Sequence, residues 1–181
     1  MLIGPVLAIG LYSVSRQIET GKTPELGYCV KQGGGRLKDM LVYSFVLLIV
    51  FMLWARSATA LHIFFPVAGD YEVKDLALFL GIGTVIGAVF SAIVFTTSAF
   101  TLPMIMDRKT DGITAVITSV NAVLQNKKTM FLWGMIIVAL VAFGFLTAFL
   151  GFVVIMPLIG HATWHAYRST VDASQWPENP K

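Results

Sequence analysis

The sequence predicts an all-α, polytopic transmembrane helical bundle, and three observations predict it. Only 13% of the 181 residues are charged and 56% are hydrophobic, against about 25% charged in soluble domains. Several uncharged apolar runs approach or exceed the ~20 residues that cross a bilayer core. The runs lack the alternation at two-residue spacing that marks a membrane β-barrel. The expected architecture is a single transmembrane domain, residues 1–181, with about five spans, short amphipathic interfacial helices and an internal duplication.

The first span, residues 1–14, is short. At ~1.5 Å per residue it falls below a ~30 Å hydrocarbon core. It opens on apolar residues with no basic segment ahead of them, so no cleavable signal peptide is read. Pro5 starts or kinks it, and Ser15, Arg16 and Gln17 lead it towards water. Residues 15–39 form a polar linker with five Lys/Arg (Arg16, Lys22, Lys31, Arg36, Lys38) and a flexible triplet, Gly33 to Gly35. A phosphate-cradling loop needs a strand before it and a helix after it, and this triplet has neither.

The second span, residues 40–56, ends at Trp54 and Arg56, an aromatic and a snorkelling cation at the membrane boundary. Residues 57–67 stay apolar, as a tilted extension of the same helix or as an interfacial segment. A short acidic loop, 69–75, precedes the third span, 76–102. There Gly83, Gly87 and Ser91 recur every four residues, a face that allows helices to approach closely.

Pro103 ends that span, and residues 107–128 form a second linker. Asp111 or Thr110 caps an amphipathic helix over 112–125, with Ile113, Val116, Ile117, Val120 and Leu124 on one face. Residues 129–160 are 32 residues without a charge. As one helix they would run ~48 Å, too long for the core. A break near Gly151 divides them into spans at 129–149 and 151–167, leaving a C-terminal tail at 169–181.

Charge placement orients the pieces. The 15–39 linker has five Lys/Arg, and the 107–128 linker has Arg108, Lys109, Lys127 and Lys128. The 56–75 loop has only Arg56 and Lys74 against Asp70, Glu72 and Asp75. The two basic linkers and the C-terminus are therefore expected on the cytoplasmic side, in a bacterial inner membrane. The N-terminus then starts outside, which calls for a helix before it. A tail such as 169–181 frays unless something holds it, which fits a bound partner.

One pattern recurs: an apolar run, a proline, then a cationic exit. Pro5 leads to Arg16, Pro103 to Arg108 and Pro157 to Arg168, and the first and last pairs have the same spacing. This suggests duplication, a common route to membrane folds, with the three prolines as helix breaks.

The stretches GPVLAIGLYSVSRQIETG, AFTLPMIMDRKTDGITAVITSVNAVLQN and FLGFVVIMPLIGHATWHAYR resemble the signatures of a bacterial family of predicted integral membrane proteins of unknown function. Members usually have about six helices, and some carry a label likening them to cytochrome c oxidase subunit I. The resemblance covers nearly the whole chain and implies company with respiratory or photosynthetic complexes. The chain departs from it by lacking the usual first helix, in keeping with the short first span.

Candidate chemistry is sparse. His161 and His165 stand at i and i+4, on one helical face, and are the weak metal candidates. A haem bridging two helices needs histidines facing one another from different helices, which this pair does not supply. The spans carry no Asp, Glu, Lys or Arg well inside them, which argues against an ion-coupled carrier. Asp107 and Arg108 read as a solvated boundary pair. Trp54, Arg56, Trp164, Tyr167 and Arg168 read as interfacial. Cys29 is alone, so no disulfide or CxxC site is formed within the chain, and no Lys/Arg run forms a nucleic-acid patch.

The expected function is a non-catalytic accessory subunit of a larger inner-membrane bioenergetic complex, respiratory or photosynthetic, partnered by other membrane subunits and lipids. It needs no cofactor of its own; bound lipid is expected, with haem or quinone contact the lesser expectation. The alternative is a small permease or channel for a neutral or lipid-like solute, with a watery cavity lined by Ser44, Thr84, Ser91, Thr96 or Thr97.

Overall fold

A computed structural model describes residues 3–25, 27, 29, 37–64 and 73–179. The glycine triplet 33–35 and residues 69–72 of the acidic loop lie outside them. The described residues carry seven helices: α1 (Ile3–Glu19), α2 (Leu37–Phe64), α3 (Val73–Ser98), α4 (Thr101–Asp107), α5 (Gly112–Gln125), α6 (Lys127–Leu146) and α7 (Phe152–Thr170). Among them no strand forms, and a lone backbone bridge joins Arg108 and Glu178. Among the described residues three stretches are long and apolar enough to cross a membrane: Leu37–Ile63, Val73–Asp107 taken across its break, and Lys127–Leu146. The helical membrane class is the one the sequence predicts.

Several boundaries shift for identifiable reasons. Helix α1 does not stop at residue 14, because Ser15, Arg16 and Gln17 are buried rather than led out to water. Helix α2 absorbs residues 57–64 as a continuous extension. The span predicted over 76–102 is interrupted after Ser98, and a short, wholly buried helix follows. Pro103 is the third residue of that helix and Pro5 the third of α1. A first-turn N–H has no intrahelical partner, so proline costs nothing there. Pro157, by contrast, does not break its helix: it lies inside α7, which continues thirteen residues beyond it to Thr170. Membrane helices tolerate such a proline because neighbouring groups absorb the lost hydrogen bond.

The chain divides into two compact units, residues 1–44 with 96–181, and residues 45–95. In the larger unit α1, α4 and α7 pack on one another, α5 packs on α4, and α6 on α7. Its core holds Ile9, Tyr12, Met104, Ile105, Trp164 and Tyr167. Tyr12 and Trp164 stack with centroids 6.5 Å apart, and Trp164 meets Tyr167 at 5.7 Å. The break between α3 and α4 is mended by α5. The Ser119 hydroxyl accepts the Phe100 N–H at 3.1 Å and donates to the Thr96 carbonyl at 2.8 Å. Helix α5 shows its small residues Gly112, Ala115, Ser119 and Ala122 to this core and leaves Ile113, Ile117 and Leu124 outward.

Close helix approach in this unit runs through Gly112, Gly144 and Gly160. A methyl added at Gly144 would stand 2.7 Å from the Phe152 ring, at Gly160 2.8 Å from Leu11 Cδ1, and at Gly112 2.8 Å from the Asp39 carbonyl oxygen. The turn between α6 and α7 falls where length demanded it. Ala148 and Phe149 adopt positive φ, 50° and 69°. Thr147 ties the turn together by accepting the Gly151 N–H at 2.9 Å and donating to the Gly144 carbonyl at 3.0 Å.

In the smaller unit, parts of α2 and α3 meet. His62 lies against Phe79 at 5.2 Å, and a methyl at Gly83 would make ordinary contact with Leu61 Cδ2 at 3.5 Å. A methyl at Gly87 would meet open space, and Ser91 is exposed. The four-residue face is therefore occupied at one of its three positions within this unit.

Candidate functional site

Three helices of the larger unit end at one place. Arg16 stands in the last turn of α1, Arg108 caps α4, and Arg168 stands in the last turn of α7. Cations there complement the negative end of each helix dipole. These are the three cationic exits of the Pro…Arg pattern, and all three face one carboxylate, Asp107.

Asp107 is 3% exposed. A carboxylate at a helix C-terminus is unfavourable by the same dipole argument, and a buried one is costly unless paired and hydrogen-bonded. The surroundings supply both. Arg108 Nε donates to Asp107 Oδ2 at 2.9 Å, and the Tyr167 hydroxyl donates to the same oxygen at 3.1 Å. Arg168 Nη1 lies 3.6 Å away and Arg16 Nε 4.0 Å from Oδ1. A second ring of contacts links α7 to α1: His165 Nδ1 is 3.3 Å and Arg168 Nε 4.0 Å from the Glu19 carboxylate.

The C-terminal tail closes this cluster. Asn179 Nδ2 donates to the carbonyls of Ile105, Met106 and Arg108, at 3.2, 2.8 and 2.9 Å, and Asn179 N–H donates to the Asp107 carbonyl at 2.9 Å. Those are the carbonyls an α-helix leaves without partners at its end. The arginines bind the tail in turn: Arg16 Nη2 donates to the Asn179 carbonyl at 2.8 Å and Arg108 Nη1 to that of Trp176 at 3.0 Å. The tail through Asn179 is thus bound by groups of its own chain.

The predicted site residues separate into two groups. His161 and His165 do share a face, and both turn to α1. His161 Nδ1 lies 2.6 Å from Ser15 Oγ. Ser15 Oγ also lies 3.2 Å from the Leu11 carbonyl oxygen. Among the described residues no group of three or more His, Cys, Asp or Glu is arranged to hold a metal ion. Trp164 and Tyr167, expected at the interface, are each 1% exposed and packed between α1 and α7. The correction has a simple cause: Gly160, Thr163, Trp164 and Tyr167 lie on one helical face, and that face is the buried one. Trp54, Arg56 and Arg168 are exposed. Asp107 and Arg108 are not the solvated pair expected. They are the centre of the cluster.

Two cavities flank it. One of about 500 Å³ is lined by Arg16, Gln17, Thr20, Lys22, Thr23 and Glu25. The other, about 430 Å³, is lined by Arg108, Tyr167, Arg168, Ser169, Thr170 and the loop through Ser174. In that loop hydrogen bonds from the Ser174 side chain and from its N–H hold the Asp172 carboxyl below the usual carboxylate range. Neither cavity is lined by Ser44, Thr84, Ser91, Thr96 or Thr97.

Residues 1–107 match a family described as predicted integral membrane protein (DUF2189). No curated protein and no solved structure matches the chain.

Proposed function

The chain belongs to this DUF2189 family of integral membrane proteins, and from that premise we propose that it is a non-catalytic accessory subunit of a larger complex in a bacterial inner membrane. The observation that carries the reading is the surface of α3. None of its residues, Val73–Ser98, is buried, and Gly81, Thr84 and Ser91 are exposed on it. Lipid gives no driving force for showing small residues outward, whereas a neighbouring helix gains close packing and hydrogen bonds from them. The ionic cluster sits at helix ends, not at mid-span where ion-coupled carriers place their charges. Respiratory and photosynthetic complexes are the partner class to which the oxidase-like label of the resemblance points. Charge placement puts the basic linkers and the C-terminus in the cytoplasm.

The test is purification from native membranes in mild detergent, with mass spectrometry and an optical spectrum of the same peak. Stoichiometric co-elution with oxidase, cytochrome or reaction-centre subunits is the expected result. A lone, colourless species of 19.8 kDa contradicts it and favours the permease.

A further inference from the structure

We infer that the cavity beside Arg168 binds the phosphate headgroup of an anionic phospholipid. The inference needs only that the chain lie in a bilayer, so it stands or falls separately from the partner reading.

The three arginines of the cluster are not equally occupied. Arg108 and Arg16 are tied to tail carbonyls by hydrogen bonds at 3.0 and 2.8 Å. Arg168 makes no hydrogen bond among the described residues. Its carboxylate neighbours, Asp107 and Glu19, stand off at 3.6 and 4.0 Å. A guanidinium carries five N–H donors in a planar fork suited to two phosphate oxygens. Here the fork is oriented by two carboxylates and its side chain remains 46% exposed. It shares the wall of the 430 Å³ cavity with Arg108, Tyr167, Ser169 and Thr170. Asp172 is also on that wall, so the lining carries two positive charges and one negative.

What distinguishes a lipid from free phosphate is the surface leading to the cavity. Val154, Leu158, His165 and Arg168 follow one another at helical spacing along the exposed side of α7. Val154 and Leu158 are 69% and 52% exposed. Leu158 lies ten residues before Arg168, ~15 Å along the helix axis. Exposed apolar side chains therefore lie on the same side of α7 as a half-exposed guanidinium nearer the helix end, an order that matches an acyl chain joined to a phosphate. Basic pockets at helix ends on the cytoplasmic side are a recurrent form of anionic-lipid recognition.

The experiment measures retained lipid by native mass spectrometry after exchange into micelles containing equal phosphatidylglycerol and phosphatidylcholine. Wild type is expected to prefer phosphatidylglycerol by roughly fivefold, the effect of about one basic residue at an anionic surface. Arg168→Gln and Thr170→Asp should each bring that ratio to about one. Thr170→Asp leaves every Asp107 contact in place, so it keeps the test valid if Arg168→Gln misfolds. Leu158→Ser should lower the retention of both lipids. Equal retention of the two lipids by wild type, or a preference that survives both charge variants, overturns the inference. Displacement of phosphatidylglycerol by millimolar inorganic phosphate alone would assign the site to free phosphate and overturn it as well.

Discussion

Replacing Asp107 by asparagine tests whether the cluster holds three helix ends together. Asparagine keeps the shape and one acceptor oxygen but removes the charge. The side chains of Arg16 and Arg108 are only 10% and 13% exposed, so both would be left buried without their shared anion. Breaking a buried pair from one side costs about 3–5 kcal/mol. The retained amide oxygen still accepts one hydrogen bond, which recovers about 1 kcal/mol. Arg108 also keeps Trp176 and Glu178 as neighbours. The expected loss is therefore about 2–4 kcal/mol. Arg168 is 46% exposed, so Arg168→Gln should cost less than about 1 kcal/mol, as exposed pairs do. Reversible unfolding in mixed micelles, titrated with a denaturing detergent and followed by tryptophan fluorescence, reads both. An Asp107→Asn protein as stable as wild type, or one no worse than Arg168→Gln, would refute the argument.

Three further outcomes follow from the packing. Gly144→Ala forces a methyl to 2.7 Å from the Phe152 ring and should cost about 1–3 kcal/mol; Gly87→Ala, facing open space, should leave the stability of the isolated chain unchanged in the same unfolding assay. Ser119→Ala strands the buried Phe100 N–H, which costs about 1–3 kcal/mol, read as a lowered midpoint and as faster amide exchange at Phe100. Asp111 caps α5 by accepting the Thr114 N–H at 3.0 Å, and hydrogen bonds from Thr114 hold its carboxyl below the ordinary 3.8. A depressed carboxyl contributes stability above its unfolded value and loses it as pH falls through the lower folded one. Asp111→Ala should therefore cost about 1 kcal/mol at neutral pH, a difference that shrinks below pH 3.8 and is measured by comparing the two unfolding midpoints across pH.

Hydropathy and length made the helical membrane class visible in the sequence, and with it the turn near Gly151, because no single helix of 32 uncharged residues fits a bilayer. The Pro…Arg recurrence was visible too, and its three cations meet in space. What the pattern lacked was the acid they share. Asp107 follows an apolar run and precedes an arginine, which reads equally well as a wet boundary. The contacts that bury it come from α1, α7 and the Asn179 tail, the last more than seventy residues away. Trp164 and Tyr167 were misplaced because aromatics near a helix end suit both a membrane belt and a core. Their spacing with Gly160 and Thr163 on one face was the available signal. Gly83 and Gly87 fit a close-packing pattern, yet the near contacts fall at Gly112, Gly144 and Gly160, since spacing along one helix does not reveal which neighbour arrives.

The most direct test of the central claim, that the three arginine-bearing helix ends converge at one membrane face, is side-specific cysteine labelling. Lys22→Cys, Lys109→Cys and Ser174→Cys, each in a Cys29→Ser background, place a thiol at an exposed position beyond α1, α4 and α7 respectively. A membrane-impermeant maleimide applied to sealed inside-out and right-side-out vesicles should label all three from the same, cytoplasmic side. Labelling of any one of them from the opposite side would contradict the cluster and the fold built around it.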